Sequence, residues 1–178
     1  IAALSDQMDA DKRLVETLQQ YTVVLSYLFH DQKADFNLLT NGIDIPNSEL
    51  ISGWDAIGYI ANIDKYQAAS AAEGHIANRI DEDGVLRTLP LIMQSEKKLY
   101  PAFSLKVAQL YLHEMSYQLM IGEHNGKPIY NGIQLGKQRI PTDARGQILI
   151  PYQTELSKIR HISASDILAA KKFPELEN

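Results

Sequence analysis

Residues 75–112, reading HIANRIDEDGVLRTLPLIMQSEKKLYPAFSLKVAQLYL, constrain the fold more than any other stretch of the chain. Two apolar segments meet at Asp83-Gly84, where a glycine free to adopt positive φ predicts a turn between hairpin arms. The second arm, 85–93, is rich in Val, Leu and Ile. Pro90 within it cannot donate to a ladder, which places the arm at a sheet edge or across a bulge. A charged turn follows at 95–98. Pro101 then opens a helix, since its missing N–H is no loss in a first turn. Phe103, Val107 and Leu110 share one face of that helix, and Leu105, Ala108 and Leu112 the adjoining one. Only Lys106, Gln109 and His113 remain as a polar stripe. So narrow a wet side predicts hairpin plus helix at the centre of the core, with Phe103 and Val107 inside.

The other elements follow from period and punctuation. Residues 5–20 read as a helix with Asp6, Asp9 and Asp11 near its start, where negative charge suits the dipole. Residues 21–29 are nearly all apolar or β-branched, as in a strand buried on both faces. Residues 31–49 carry Asn41-Gly42 and Pro46-Asn47 without a sustained period. They form a long loop, a kind of segment that is often functional. Residues 50–63 hold short apolar patches of ambiguous type. Residues 66–72 form a short alanine-rich helix closed by Gly74. Segments 117–121, 129–135, 138–140 and 147–152, separated by turns at Asn125-Gly126 and 143–146, predict a C-terminal meander. Ser163 or Ser165 caps a last helix through Ala170, with Asp166 in its first turn. The fold class is α/β, a mixed sheet with flanking helices and a C-terminal β-meander, in one domain over residues 1–178.

Composition excludes several functions. A net charge of −5, with no basic run interleaved with aromatics, excludes a nucleic-acid surface. Cysteine is absent, which removes disulfides, thiolate–zinc sites and thiol nucleophiles together. No segment approaches the roughly 18 apolar residues of a membrane span.

No catalytic or metal constellation emerges. An EF-hand loop placed on Gly84 would put Arg79 at its first ligand position and Pro90 at its last. Residues 132–138 have the wrong glycine spacing for a phosphate loop. The five histidines lack i+3 or i+4 partners, and no G-x-S-x-G elbow is present. Arg87, amid Val85, Leu86 and Leu89, is either an anion-recognising guanidinium or the partner of Asp81 or Asp83 across the turn.

The run RIDEDGVLRTLPLIMQSEKKLYPAFSLKVAQL resembles the signature of the type-two CHASE domain family. In that family a D-x-DG-V-x-R-x-x-PL segment precedes a YP-S-L-A-L-like helix. Asp81, Asp83, Gly84, Val85, Arg87, Pro90, Leu91, Tyr100 and Pro101 occupy those places. The run LGKQRIPTDARGQILIPYQ is similar to the family's IP-x-D-x-x-G-x-LLI-N-Y segment, through Ile140, Pro141, Asp143, Gly146, Leu149, Ile150 and Tyr152. Pro151 stands where the family has asparagine. The resemblance is densest over residues 74–178 and implies a partial member, lacking the family's N-terminal and C-terminal segments.

It further implies a periplasmic or extracellular ligand-sensing input domain. The parent would be an inner-membrane adenylate cyclase, diguanylate cyclase or histidine kinase, anchored through flanking segments. The domain itself would have no catalysis and no cofactor. The partner would be a small molecule or protein signal, in a pocket with Arg87, Tyr66 and His75 as anchors. If missing segments leave the 21–29 strand an unpaired edge, a homodimer formed by strand addition or segment exchange is expected. Two other readings compete. One is a small enzyme whose Asp81, Asp83 and Asp143 converge in a pocket with raised pKa values. The other is an oligomerisation module with an apolar patch.

Overall fold

The computed structural model describes residues 9–33, 35–37, 39–44, 46–51, 56–78, 80–152 and 161–169. The first helix among the described residues, α1 (Ala10–Gln20), ends where the sequence predicts but begins later than the expected Ser5. Asp9 is the N-cap, its carboxylate accepting the Lys12 N–H at 3.0 Å. This satisfies one of the orphan donors of the first turn. The part of the predicted helix before Asp9 lies outside the described residues.

A four-stranded mixed sheet follows, in the order β2 (Asp35–Phe36), β3 (Gly58–Ile60), β1 (Val24–His30), β4 (Ala72–His75). β1 runs antiparallel to β3 and parallel to β4, and α2 (Asp64–Ala69) lies between β3 and β4. Residues 21–29 therefore have strand neighbours of their own on both sides, not the bare edge on which the dimer expectation rested. Nor is the strand buried on both faces. Tyr27 and Phe29 point inward, while Ser26 and Leu28 are exposed. The apolar run reflects an outward row, Phe36, Ile60 and Leu28 in register, with exposed Ile76 beyond.

The centre of the molecule is the hairpin β6 (Ile92–Ser95) and β7 (Lys98–Pro101). Successive residues of a strand face opposite ways, and here both faces are covered. Ile92 and Leu99 join one apolar cluster with Leu91, Leu105, Tyr130 and Ile133. Met93 and Tyr100 join a second with Tyr27, Phe29 and Ala77. The stretch singled out in the sequence is thus a wall between two cores.

Within it several expectations shift. Gly84 sits at φ +81° in a turn closed by hydrogen bonds between Asp81 and Val85 and from Gly84 N–H to Asp81. The flanking strands do not pair with each other, however. β4 pairs with β1, and β5 (Thr88–Pro90) pairs with β11 (Gln147–Leu149). The ladder-bearing hairpin instead turns at Glu96-Lys97, both at positive φ without glycine. Pro90 ends β5, and the arm breaks at Leu91 before β6 begins.

Pro101 closes β7 rather than opening the helix, and α3 (Phe103–Tyr111) follows Ala102. That change of start rotates the buried face. Leu105 and Gln109 are buried, Phe103 is half-buried, and Val107 is 42% exposed. The expected polar stripe is thereby turned partly inward.

Gly74, expected to cap a helix, lies inside β4, and Ser70 caps α2 instead. Its lack of a side chain serves packing: a Cβ there would lie 2.5 Å from backbone atoms of Phe103. The meander holds for β8 (Gln118–His124), β9 (Lys127–Leu135) and β10 (Gln138–Pro141). Its fourth member, β11, leaves it for β5. The last helix, α4 (Ala164–Leu168), has Ser163 at its N-cap without a side-chain cap bond.

Candidate functional site

Directly before β4, the segment joining it to α2 faces the loop at Thr40–Asn41 across a groove of about 440 Å³. The fold fixes both walls. The loop is pinned from behind by paired Ile43–Leu99 backbone hydrogen bonds of 2.9 and 3.0 Å. Gly42 sits against Tyr100, whose ring lies 2.6 Å from where a Cβ would stand. Any larger residue there would push the loop off β7. The opposite wall is held because Ala71 N–H bonds to Val23 and β4 is laddered to β1.

Polar side chains line the space: Thr40, Asn41, Asp64, Gln67, Ser70 and Glu73. Two contacts cross it. Thr40 Oγ1 donates to Gln67 Oε1 at 2.8 Å, and Asn41 Nδ2 donates to the Glu73 carbonyl at 3.2 Å. Glu73 is only 6% exposed. Its Oε1 accepts from Asn62 Nδ2 at 2.7 Å, and the same amide reaches the Ser26 carbonyl of β1 at 3.0 Å. Burial with this one neutral partner raises the carboxyl pKa, the Asn62 bond opposing the shift. Asn41 Oδ1 is buried with no hydrogen-bond partner among the described residues. Buried carbonyls in folded proteins are nearly always paired, so this orphan marks an unsatisfied acceptor in the groove wall.

The three sequence-expected anchors stand apart from this groove and from one another. Arg87 is held by carboxylates: Nη1 donates to Asp81 Oδ2 at 2.8 Å, and Nη2 to Asp83 Oδ2 at 2.6 Å. The Arg87 hydrogen bond is the main cause holding Asp83 down at about 2. Tyr66 donates to Asp11 Oδ1 at 2.7 Å, tying α2 to α1. His75 is 1% exposed in an aromatic cluster, its ring 5.8 Å from Phe29 and 6.5 Å from Tyr27. Both its nitrogens lack hydrogen-bond partners among the described residues, and burial pushes its pKa down to about 3.

The carboxylates of the competing enzyme reading do not converge either. Asp81 and Asp83 share Arg87, while Asp143 accepts the N–H groups of Arg145 and Gln147 in its own turn. Among the described residues no group of three potential ligands is placed to hold a metal ion, and no helix is long and apolar enough to cross a membrane.

The groove adjoins two of the sequence-expected anchors along the chain. Gln67 is one residue from Tyr66, and Glu73 two from His75 on the same strand. Thr40 and Asn41 belong to the 31–49 loop, whose length was the available signal. A model of the CHASE2 domain family matches residues 2–178. No curated protein and no solved structure matches the chain.

Proposed function

The chain belongs to the CHASE2 domain family, sensory domains without catalysis of their own, and on that premise we propose that it is the ligand-sensing input domain of a membrane-bound cyclase or histidine kinase, held outside the cytoplasm. The observation that carries the ligand-sensing reading is the polar groove, with its buried Glu73 and the orphan Asn41 Oδ1. A molecule seated there replaces or reinforces the Thr40–Gln67 and Asn41–Glu73 contacts. It thereby sets the spacing between the loop and the α2–β4 wall. Through Asn62 the same spacing bears on β1. Signalling requires that the ligand bind two spacings unequally, since equal affinity shifts no population.

Thermal unfolding against a library of small metabolites tests the reading. A true ligand at 100 times its dissociation constant adds about 2.7 kcal/mol of stability. Ala68→Trp, at an exposed groove position on α2, should abolish that gain while leaving the fold intact. Ligands that stabilise both proteins equally would remove the groove from the account. The location is tested separately. A cysteine introduced at exposed Glu82, in a chain that has none, should react with a membrane-impermeant maleimide on intact cells. Labelling only after lysis would place the domain inside.

A second reading, dimerisation, is favoured by the outward row of Phe36, Ile60, Leu28 and Ile76, which are 58, 45, 38 and 51% exposed. An apolar row in register across three strands, with Ile76 just past the fourth, is a face that a second copy could cover. Light scattering should then show a dimer that Ile60→Lys converts to monomer. A monomer at all concentrations would leave the row without that role.

A further inference from the structure

The groove's chemistry points to one class of occupant. Its ionisable lining groups are Asp64 and Glu73, and neither Lys, Arg nor His is among its lining residues. An anion would meet two carboxylates with no compensating cation, and desolvating like charges against each other is unfavourable. A neutral apolar molecule would leave the Asn41 carbonyl as unsatisfied as it is now.

Two further observations separate this from a surface cluster of acids. Glu73 is 94% covered, in the ladder of β4, where burial of a carboxylate requires charged or hydrogen-bonding compensation. Among the described residues its carboxylate has one hydrogen-bond partner, the neutral Asn62 amide at Oε1, and no cation. On the facing wall Asn41 spends its N–H on the Glu73 backbone carbonyl, and its Oδ1 is buried and unpaired. The Asn41 carbonyl and the Glu73 carboxylate are both acceptors, and they belong to residues that line the same groove. The group that fits them carries several N–H donors and a positive charge.

We infer that the groove between Thr40–Asn41 and α2 takes a small organic cation, its ammonium or guanidinium group seated between the Glu73 carboxylate and Asn41 Oδ1. The inference rests on the sensory reading of the groove and specifies the ligand's charge and donor pattern. Asp64, exposed on the first turn of α2, draws the cation toward the mouth. Thr40 and Gln67 flank the remainder of the molecule.

Isothermal titration of the 178-residue chain with putrescine, ethanolamine and guanidinium chloride tests this, with glycerol, acetate, phosphate and calcium chloride as controls. Saturable binding is expected with at least one of the amines or guanidinium, and not with the controls. Glu73→Gln, which keeps the shape and the Asn62 bond, should weaken that binding by about tenfold or more. Ala68→Lys places a cation at an exposed groove position without touching the core. It should weaken binding in the same direction even if the Glu73 variant fails to fold. Binding of glycerol, acetate or phosphate that Ala68→Trp abolishes would overturn the cationic class while leaving the groove as the sensory site. Binding of calcium alone would replace the organic cation with a metal. Failure of every probe at 10 mM would overturn the inference, and the metabolite library then decides the groove's role independently.

Discussion

Exchanging His75 for leucine should remove most of the protein's loss of stability between pH 7 and pH 5. The imidazole is 1% exposed, both nitrogens are unpaired, and burial depresses its pKa from 6.5 to about 3. The folded state therefore keeps it neutral across this interval, while the unfolded chain takes up a proton as pH falls below 6.5. The depressed group's contribution is fully present above pH 6.5 and is lost progressively toward pH 3. Each pKa unit corresponds to about 1.4 kcal/mol, so nearly one and a half units between 6.5 and pH 5 amount to about 2 kcal/mol. Glu73 works in the opposite sense, because its raised carboxyl pKa favours the folded state as pH falls. It titrates in both proteins, so comparing wild type with His75→Leu cancels it. At pH 7 the exchange should cost little. Removing unpaired buried nitrogens, each worth about 1–3 kcal/mol, offsets the lost ring contacts. Urea unfolding at both pH values and constant ionic strength measures the difference. Wild type should lose about 2 kcal/mol more than the variant on going from pH 7 to 5. Parallel losses would show that His75 is hydrogen-bonded or charged in the fold, and the buried neutral ring would be refuted.

Three further substitutions probe the packing. Gly74→Ala should destabilise by about 1–3 kcal/mol in urea unfolding, since its Cβ meets the Phe103 backbone at 2.5 Å and β4 must retreat from α3. Leu105→Ala should cost about 2–5 kcal/mol, whereas Val107→Ala on the same helix should change stability by about 0.5 kcal/mol or less. Equal costs would mean that the helix is rotated from the face described. Gly84→Ala should cost about 1 kcal/mol, from the positive φ alone, because open space surrounds the position. A neutral result by thermal unfolding would argue against that turn.

The turn at Gly84, the helix ending at Gln20, the strand core of β1 and the three meander strands were legible because each rests on local chemistry. So was the pairing of Arg87 with Asp81 and Asp83, which follows from the turn's short sequence separation. What the sequence concealed is set by tertiary choices. β11 leaves the meander for β5, a pairing that bridges about sixty residues and has no local signature. The charged turn at 95–98 was legible as a turn, but not that it, rather than Gly84, joins the laddered strands at positive φ, because Ile92, Met93, Leu99 and Tyr100 each bury against a core. A two-residue shift in where α3 begins, from Pro101 to Phe103, turns its faces by about 200°, the angle that separates Val107 from Gln109. The groove was hidden for a related reason. Its residues are ordinary polar ones from three separate segments, and only the fold brings the Asn41 amide to Glu73.

The central claim is that this groove is where the domain senses its ligand. A heteronuclear NMR titration of the isotope-labelled chain, using the compound that most raises its melting temperature, tests this most directly. The account predicts saturable shifts centred on Thr40, Asn41, Gln67 and Glu73, spreading to Asn62 and Ser26 through the Asn62 bridge. Shifts confined to the Arg87 turn or to the Phe36–Ile60 row, with the groove silent, would contradict it.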